Sequence, residues 1–176
     1  MMNEERELVR RAIGHDHKAF AELYDRFVNK IYKYVYYKVG AIALAEDLTA
    51  QTFLKAWENI GAYRDTGRPF AAWLYPIAHN LMVDHFRAQR VTLRLEDAEN
   101  DAHAPDLVAS VEQKLNADEL RRALAKLTDD QQHVILLKFI EGYTTEQVAE
   151  MLDKNAGAIR ALQHRALQAL QRILKI

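Results

Sequence analysis

Apolar side chains recur at intervals of three and four along most of this chain. No stretch alternates with the period of two that a half-buried strand requires. A short helical segment spans about Glu4 to Ile13. Beyond it, the spacing of Phe20, Leu23, Tyr24, Phe27, Ile31, Tyr34, Val35 and Val39 predicts a long helix with one core-facing stripe, capped by Asp16 and stopped by Gly40. A second helix is expected from about Leu44 to Ile60, with Leu48, Phe53, Leu54, Trp57 and Ile60 apolar. The segment GAYRDTGRP then breaks the pattern with two glycines, an Asp-Thr-Gly turn signal and Pro69 in the first turn of the next helix. That helix, FAAWLYPIAHNLMVDHFRAQR, runs from Phe70 to Arg90 and places Phe70, Trp73, Leu74, Ile77 and Leu81 on its core side, with Phe86 as a further candidate. Pro76 removes one main-chain hydrogen bond near its start and predicts a mild bend.

Periodicity fades across Val91–Ser110, where acids accumulate around Asn100, Asp101 and Pro105, and this segment reads as a linker. Helical pattern returns near Val111. Thr128-Asp-Asp-Gln131 then fits a capping box before HVILLKFIEG, and Gly142 ends that helix. Thr144-Thr-Glu-Gln147 fits a second capping box before VAEML, and the turn DKNAG leads into AIRALQHRALQALQRIL. A short helix, a tight turn and a longer helix make a helix-turn-helix candidate. Ile159, Leu162, Ala166, Leu170 and Ile173 form the core stripe of its last helix, opposite a face of Arg160, Ala161, His164, Arg165 and Gln168. Such a face suits the major groove of DNA, and it equally suits the solvated surface of a bundle helix. The fold class is therefore all-α: an N-terminal helical bundle over 1–90, an acidic linker over 91–110 and a helix-turn-helix domain over 111–176.

Composition changes this picture mainly by exclusion. With 49% hydrophobic and 28% charged residues, the 176-residue chain has a globular composition. It has no cysteine, which removes disulfides and thiolate metal sites. No apolar run approaches the roughly 18 residues of a membrane span, and no signal peptide opens the chain, so no membrane insertion is expected and the default compartment is the cytoplasm. The net charge of −1 conceals an asymmetry: Lys/Arg against Asp/Glu is 13 to 11 over residues 1–90, 2 to 8 over 91–120 and 9 to 6 over 121–176. Two mildly basic ends around an acidic centre raise the question of a polyanionic partner. The seven histidines are scattered, and no HExxH, nucleophile elbow or phosphate loop accompanies them. No enzyme, cofactor or metal site is expected.

Two stretches read together carry a family resemblance. Asp47-Leu-Thr-Ala-Gln-Thr-Phe-Leu-Lys-Ala-Trp57, followed by Trp73-Leu-Tyr-Pro-Ile-Ala-His-Asn80 with Asp84 and Arg87, resembles region 2 of bacterial sigma factors. Leu127 to Leu170, including GYTTEQVAEML and GAIRALQHRALQAL, resembles region 4. Their order, with a short acidic linker and no intervening domain, is the mark of the extracytoplasmic-function (ECF) group.

The resemblance implies a transcription initiation factor that binds core RNA polymerase through its clamp and flap regions and recognises the −10 and −35 elements of promoter DNA. It implies that Asp47, Gln51, Thr52, Phe53 and Lys55 meet the polymerase clamp; the chain departs from many members in having Ala50-Gln51 where they have Gln-Glu, and Phe53 and Trp57 also read as core residues. It implies that the loop Tyr63–Arg68, with Asn80 behind it, captures a flipped base of the −10 element. Arg64, Arg68, His79, Arg87 and Arg90 would hold the phosphates of the melted strand. Trp73 reads either as core or as a wedge between the strands. Arg160, Ala161, His164 and Arg165 fall where the recognition helix meets the −35 duplex. Many members have Ser and Arg where this chain has Ala161 and Leu162, and a cation or small polar residue at the position of Pro76. The acidic linker corresponds to a segment that stands in for RNA within the polymerase, or serves as a solvated tether. An anti-sigma factor is a partner common in the family. The rival reading from the residues alone is an autonomous helix-turn-helix regulator with an N-terminal dimerisation or sensing lobe, which would bind duplex DNA tightly without polymerase.

Overall fold

A computed structural model describes residues 2–95 and 111–175, and every regular element among them is helical. Helix α1 is Met2–Ile13, α2 His17–Val39, α3 Ile42–Asn59, α4 Ala71–Leu95, α5 Val111–Leu124, α6 Asp129–Ile135, α7 Thr145–Met151 and α8 Ala156–Leu174. Helices α1–α4 form the N-terminal lobe and α5–α8 the C-terminal lobe. Helix α4 runs five residues into the segment expected as linker; the rest of that acidic linker lies outside the described residues.

The helix boundaries follow local chemistry. Asp16 caps α2 by accepting the main-chain N–H groups of Lys18 and Ala19, and Arg11 pairs with its other oxygen at 2.7 Å. Gly40 ends α2 in the left-handed region at φ 74°, donating to the Tyr36 carbonyl. A Cβ here would also run into the guanidinium of Arg121 from the other lobe. Both expected capping boxes are present: Thr128 with Gln131 opens α6, and Thr144 with Gln147 opens α7. Each such cap stabilises its helix by about 1 kcal/mol. The segment expected to continue α6 as one α-helix instead widens over Leu136–Ile140 into a π turn, before Gly142 ends it at φ 76°.

In the N-terminal lobe Leu23, Phe27, Ile31, Tyr34 and Val35 of α2 pack against Leu48 and Phe53 of α3 and Phe70, Leu74 and Tyr75 around the start of α4. Two residues expected in this stripe are exposed: Tyr24 at 40% and Leu54 at 58%. The polar Thr49 and Thr52 take core places instead, their hydroxyls bonding back to the carbonyls of Ala45 and Leu48. This local bond lets a threonine behave as a small apolar residue on a helix. Helix α4 continues through Pro76, whose ring faces solvent. In the C-terminal lobe Leu124, Val134, Leu136, Leu137, Val148, Ile159 and Ala166 make the core.

Candidate nucleic-acid interface

The loop between α3 and α4 is tied down at both ends. The Asp65 carboxylate accepts the N–H of Gly67 at 2.9 Å, and Gly67 sits at φ 81°. Its carbonyl accepts from Arg6 Nη2 at 3.3 Å, while the N–H of Phe70 donates to the Glu5 carboxylate at 2.8 Å. Helix α1 therefore braces the loop, a role that sequence reading missed. The ring of Tyr63 rests edge-on against Phe70 and Trp73, with centroids 5.6 and 5.1 Å away. Burial, with Asp65 and Glu5 nearby, holds its phenol above the usual range and thus neutral. Trp73 is half-buried among these aromatics.

Of the expected −10 residues, Arg64 and Arg68 are exposed on this loop, and Asn80 and Arg87 are exposed on α4. Pro76, Asn80, Asp84 and Arg87 share one solvent-facing side at helical spacing. Arg68 makes an ion pair at 3.2 Å with Asp153 of the C-terminal lobe. His79 is turned toward the C-terminal lobe, its Nε2 3.6 Å from Asp129. The Arg90 side chain lies outside the described residues.

On α3, Asp47 and Lys55 are exposed, and Gln51 is half-buried with its amide bonded to Asp47 at 2.8 Å. Thr52 and Phe53 are 0% and 4% exposed, so their side chains lie beneath this face of α3. Leu54 lies on the same side as Asp47, Gln51 and Lys55, at offsets that a helix brings together. An apolar residue one position out of phase with the stripe was the signal for it.

In the helix-turn-helix, Asn155 caps α8 by accepting the N–H of Ala158 at 2.8 Å. Ile159, Ala166 and Leu170 are buried; Arg160, Ala161, His164, Arg165 and Gln168 are all exposed. Arg165 Nε donates to the Ala161 carbonyl at 3.3 Å, which lays the guanidinium along the helix surface. Arg160 has Glu146 of α7 at 3.7 Å, a pair open to solvent on both sides.

The two lobes meet along a polar seam. Lys38 of α2, its side chain only 7% exposed, bonds to Asp129 at the start of α6. His133 stacks on Tyr34 and packs against His79, with ring centroids 5.6 and 4.8 Å apart. Burial and the Lys38 charge outweigh the Asp129 carboxylate and push His133 down to about 3, so this imidazole is neutral. His79 is lowered as well, again chiefly by burial. Lys30 lies over the ring of Tyr143 at 4.6 Å.

Glu141 has a buried Oε1 with no hydrogen-bond partner, and burial pushes its pKa up to about 7 despite Lys33 and Lys30. Its folded-state pKa is above the unfolded value, so its protonated form favours folding below about pH 4.5, and that advantage is lost as pH rises through 7. Glu141→Gln is expected to raise stability by about 1–2 kcal/mol at pH 8, after discounting for its partial exposure. Urea unfolding at pH 8 and pH 4 checks this: a gain of equal size at both would show that ionisation is not the cause.

The sigma-70 region 2 model matches residues 23–92 and the sigma-70 region 4 model residues 123–172. The ECF RNA polymerase sigma factor BldN of Streptomyces coelicolor is 40% identical over 173 residues; the match takes in 96% of this chain, which spans 65% of that protein's length. The ECF RNA polymerase sigma factor SigK of Mycobacterium tuberculosis is 31% identical over 175 residues, covering 96% of this chain and 92% of SigK. Among solved structures, the sigma factor RpoE in complex with the anti-sigma factor NepR from Bartonella quintana superposes with a TM-score of 0.71 at 25% identity. It covers 90% of this chain and 98% of that one.

Proposed function

Since this chain belongs to the sigma-70 family of RNA polymerase sigma factors, in the ECF group, we propose that it binds core RNA polymerase with the N-terminal lobe and reads promoter DNA with both lobes. It is a non-catalytic initiation factor. The observation that carries the assignment of roles is the pairing of a braced loop, followed on α4 by an exposed Asn80, with a helix-turn-helix whose outer face is Arg160, Ala161, His164 and Arg165.

An unpaired base is read by stacking and by hydrogen bonds to its edge. Tyr63, the backbone around Gly67 and the amide of Asn80 supply these for a flipped −10 base, while Arg64, Arg68, Arg87 and Arg90 hold phosphates. On the polymerase side, Asp47, Gln51, Leu54 and Lys55 make the contact, with Thr52 and Phe53 fixing the helix that presents them. In duplex recognition, Arg165 offers a bidentate guanine contact, and Ala161 leaves room for the base edge. The domains divide at the linker, which lets the lobes span both promoter elements. The factor acts in the cytoplasm, where polymerase and promoters are. An anti-sigma factor, like the one bound to RpoE, is its restraining partner.

Reconstitution tests the reading: core polymerase with this chain is expected to initiate from a promoter carrying paired −35 and −10 elements, whereas the chain alone binds that duplex weakly. Tight specific binding without polymerase would favour the autonomous regulator. Within the reconstituted system, Asn80→Ala is expected to relax selection at one −10 base. An unaltered response to all four bases at every −10 position would place the pocket elsewhere.

A further inference from the structure

The seam between the lobes gathers three ligating side chains, two of them one helical turn apart on α6 and the third, His79, at least 50 residues earlier in the sequence. His79 Nε2 and His133 Nδ1 lie 3.6 and 3.8 Å from the same carboxylate oxygen, Asp129 Oδ2. One ligand atom from each of the three residues falls within 4.8 Å of the other two, and among the described residues this is the group with metal-ligand geometry. From these contacts we infer that His79, Asp129 and His133 form a transition-metal site, of the kind that takes Zn2+, and that an ion bound there clamps the two lobes together.

The donor set fits the ion. Two imidazoles and a carboxylate, with water in the fourth position, is an ordinary ligand set for zinc. In a tetrahedral site with bonds of about 2.0–2.2 Å the donor atoms stand ~3.3–3.6 Å apart, so the cluster closes by small side-chain rotations. Neither ring is locked into a tautomer: the outer nitrogens, His79 Nδ1 and His133 Nε2, are buried without a partner among the described residues. Each ring is therefore able to carry its proton on the outer nitrogen and present a lone pair inward. Lys38 occupies Asp129 Oδ1 and leaves Oδ2 for the metal. Its charge opposes the ion and tunes the affinity downward. Access is from solvent, through Asp129 and His79, whose side chains are 58% and 29% exposed.

His79 belongs to α4 of the N-terminal lobe, while Asp129 and His133 belong to α6 of the C-terminal lobe. An ion joining them binds the closed arrangement and not the separated one. At a free concentration 100 times its Kd it shifts the closed-to-open ratio about 100-fold toward closed. The metal site stands by itself; its consequence for transcription rests on the function proposed above, because the closed seam engages Arg68 through Asp153.

Calorimetric titration of the chelator-stripped full chain with ZnCl2 tests the site without polymerase. One saturable site per chain is expected, weakened at least tenfold in His79→Ala and in Asp129→Asn, both partly exposed positions whose variants keep their helical circular dichroism. Lys38→Met, which removes the opposing charge, is expected to tighten binding. Absence of a saturable site, or affinity equal to wild type in His79→Ala, overturns the proposal, since another histidine pair would then hold the ion. With fluorescent labels at positions 55 and 168, Zn2+ is expected to narrow the interlobe distances toward the closed value. Binding that leaves the distance distribution unchanged overturns the clamp.

Discussion

Replacing Phe70 with alanine is expected to cost about 3–5 kcal/mol of stability, the penalty for emptying a large aromatic site in a packed core. Phe70 is 1% exposed and sits among Phe27, Tyr63 and Trp73, with ring centroids 5.5 to 5.7 Å away. These neighbours belong to three different segments, so no single side-chain rotation refills the void. Against a typical domain stability of 5–15 kcal/mol the loss is large. Phe70 also ends the loop that carries Tyr63, Arg64 and Arg68, and its N–H is the anchor for Glu5. The variant is thus expected to lose −10 melting before it loses polymerase binding. Urea titration checks the first part: a fall below 1 kcal/mol at unchanged slope would show that Phe70 does not hold the lobe together. Permanganate footprinting of the reconstituted open complex checks the second.

Arg165→Ala is expected to lower initiation from promoters that depend on the −35 element by on the order of 10- to 100-fold, the range of one bidentate Arg–guanine contact. The side chain is exposed on the outer face of α8 and, among the described residues, bonded within its own helix, so its removal leaves the core of the C-terminal lobe intact. Polymerase affinity and thermal stability should stay at wild-type values. The loss should be concentrated at one base pair of the −35 element. An equal fall with every −35 sequence would make Arg165 a phosphate contact instead.

Much of the fold was legible because its signals are local. Asp16, Gly40 and the two capping boxes act on backbone groups within four residues of themselves, so spacing alone places those helix ends. The stripe of α8 and its polar outer face follow from the 3.6-residue period. The stripe of α3 was misread at particular positions. Treating threonine as polar hid Thr49 and Thr52 from the core and drew Leu54 into it, although Ala45, Leu48, Thr52, Ala56 and Ile60 keep helical spacing. The π turn after α6 has no comparable signature in LLKFI.

What the sequence determined by itself was the set of helices, their order and the faces they bury, along with the resemblance that identifies the family. Tertiary packing alone decided how the lobes meet. Lys38 and Asp129 are 91 residues apart, and His79 and His133 are 54 apart; no periodicity links such pairs. Their meeting depends on which surfaces of the two lobes are complementary, and on the cost of burying polar groups there. That cost turns scattered histidines into one neutral, paired cluster, and it turns a residue expected to face DNA toward the opposite lobe.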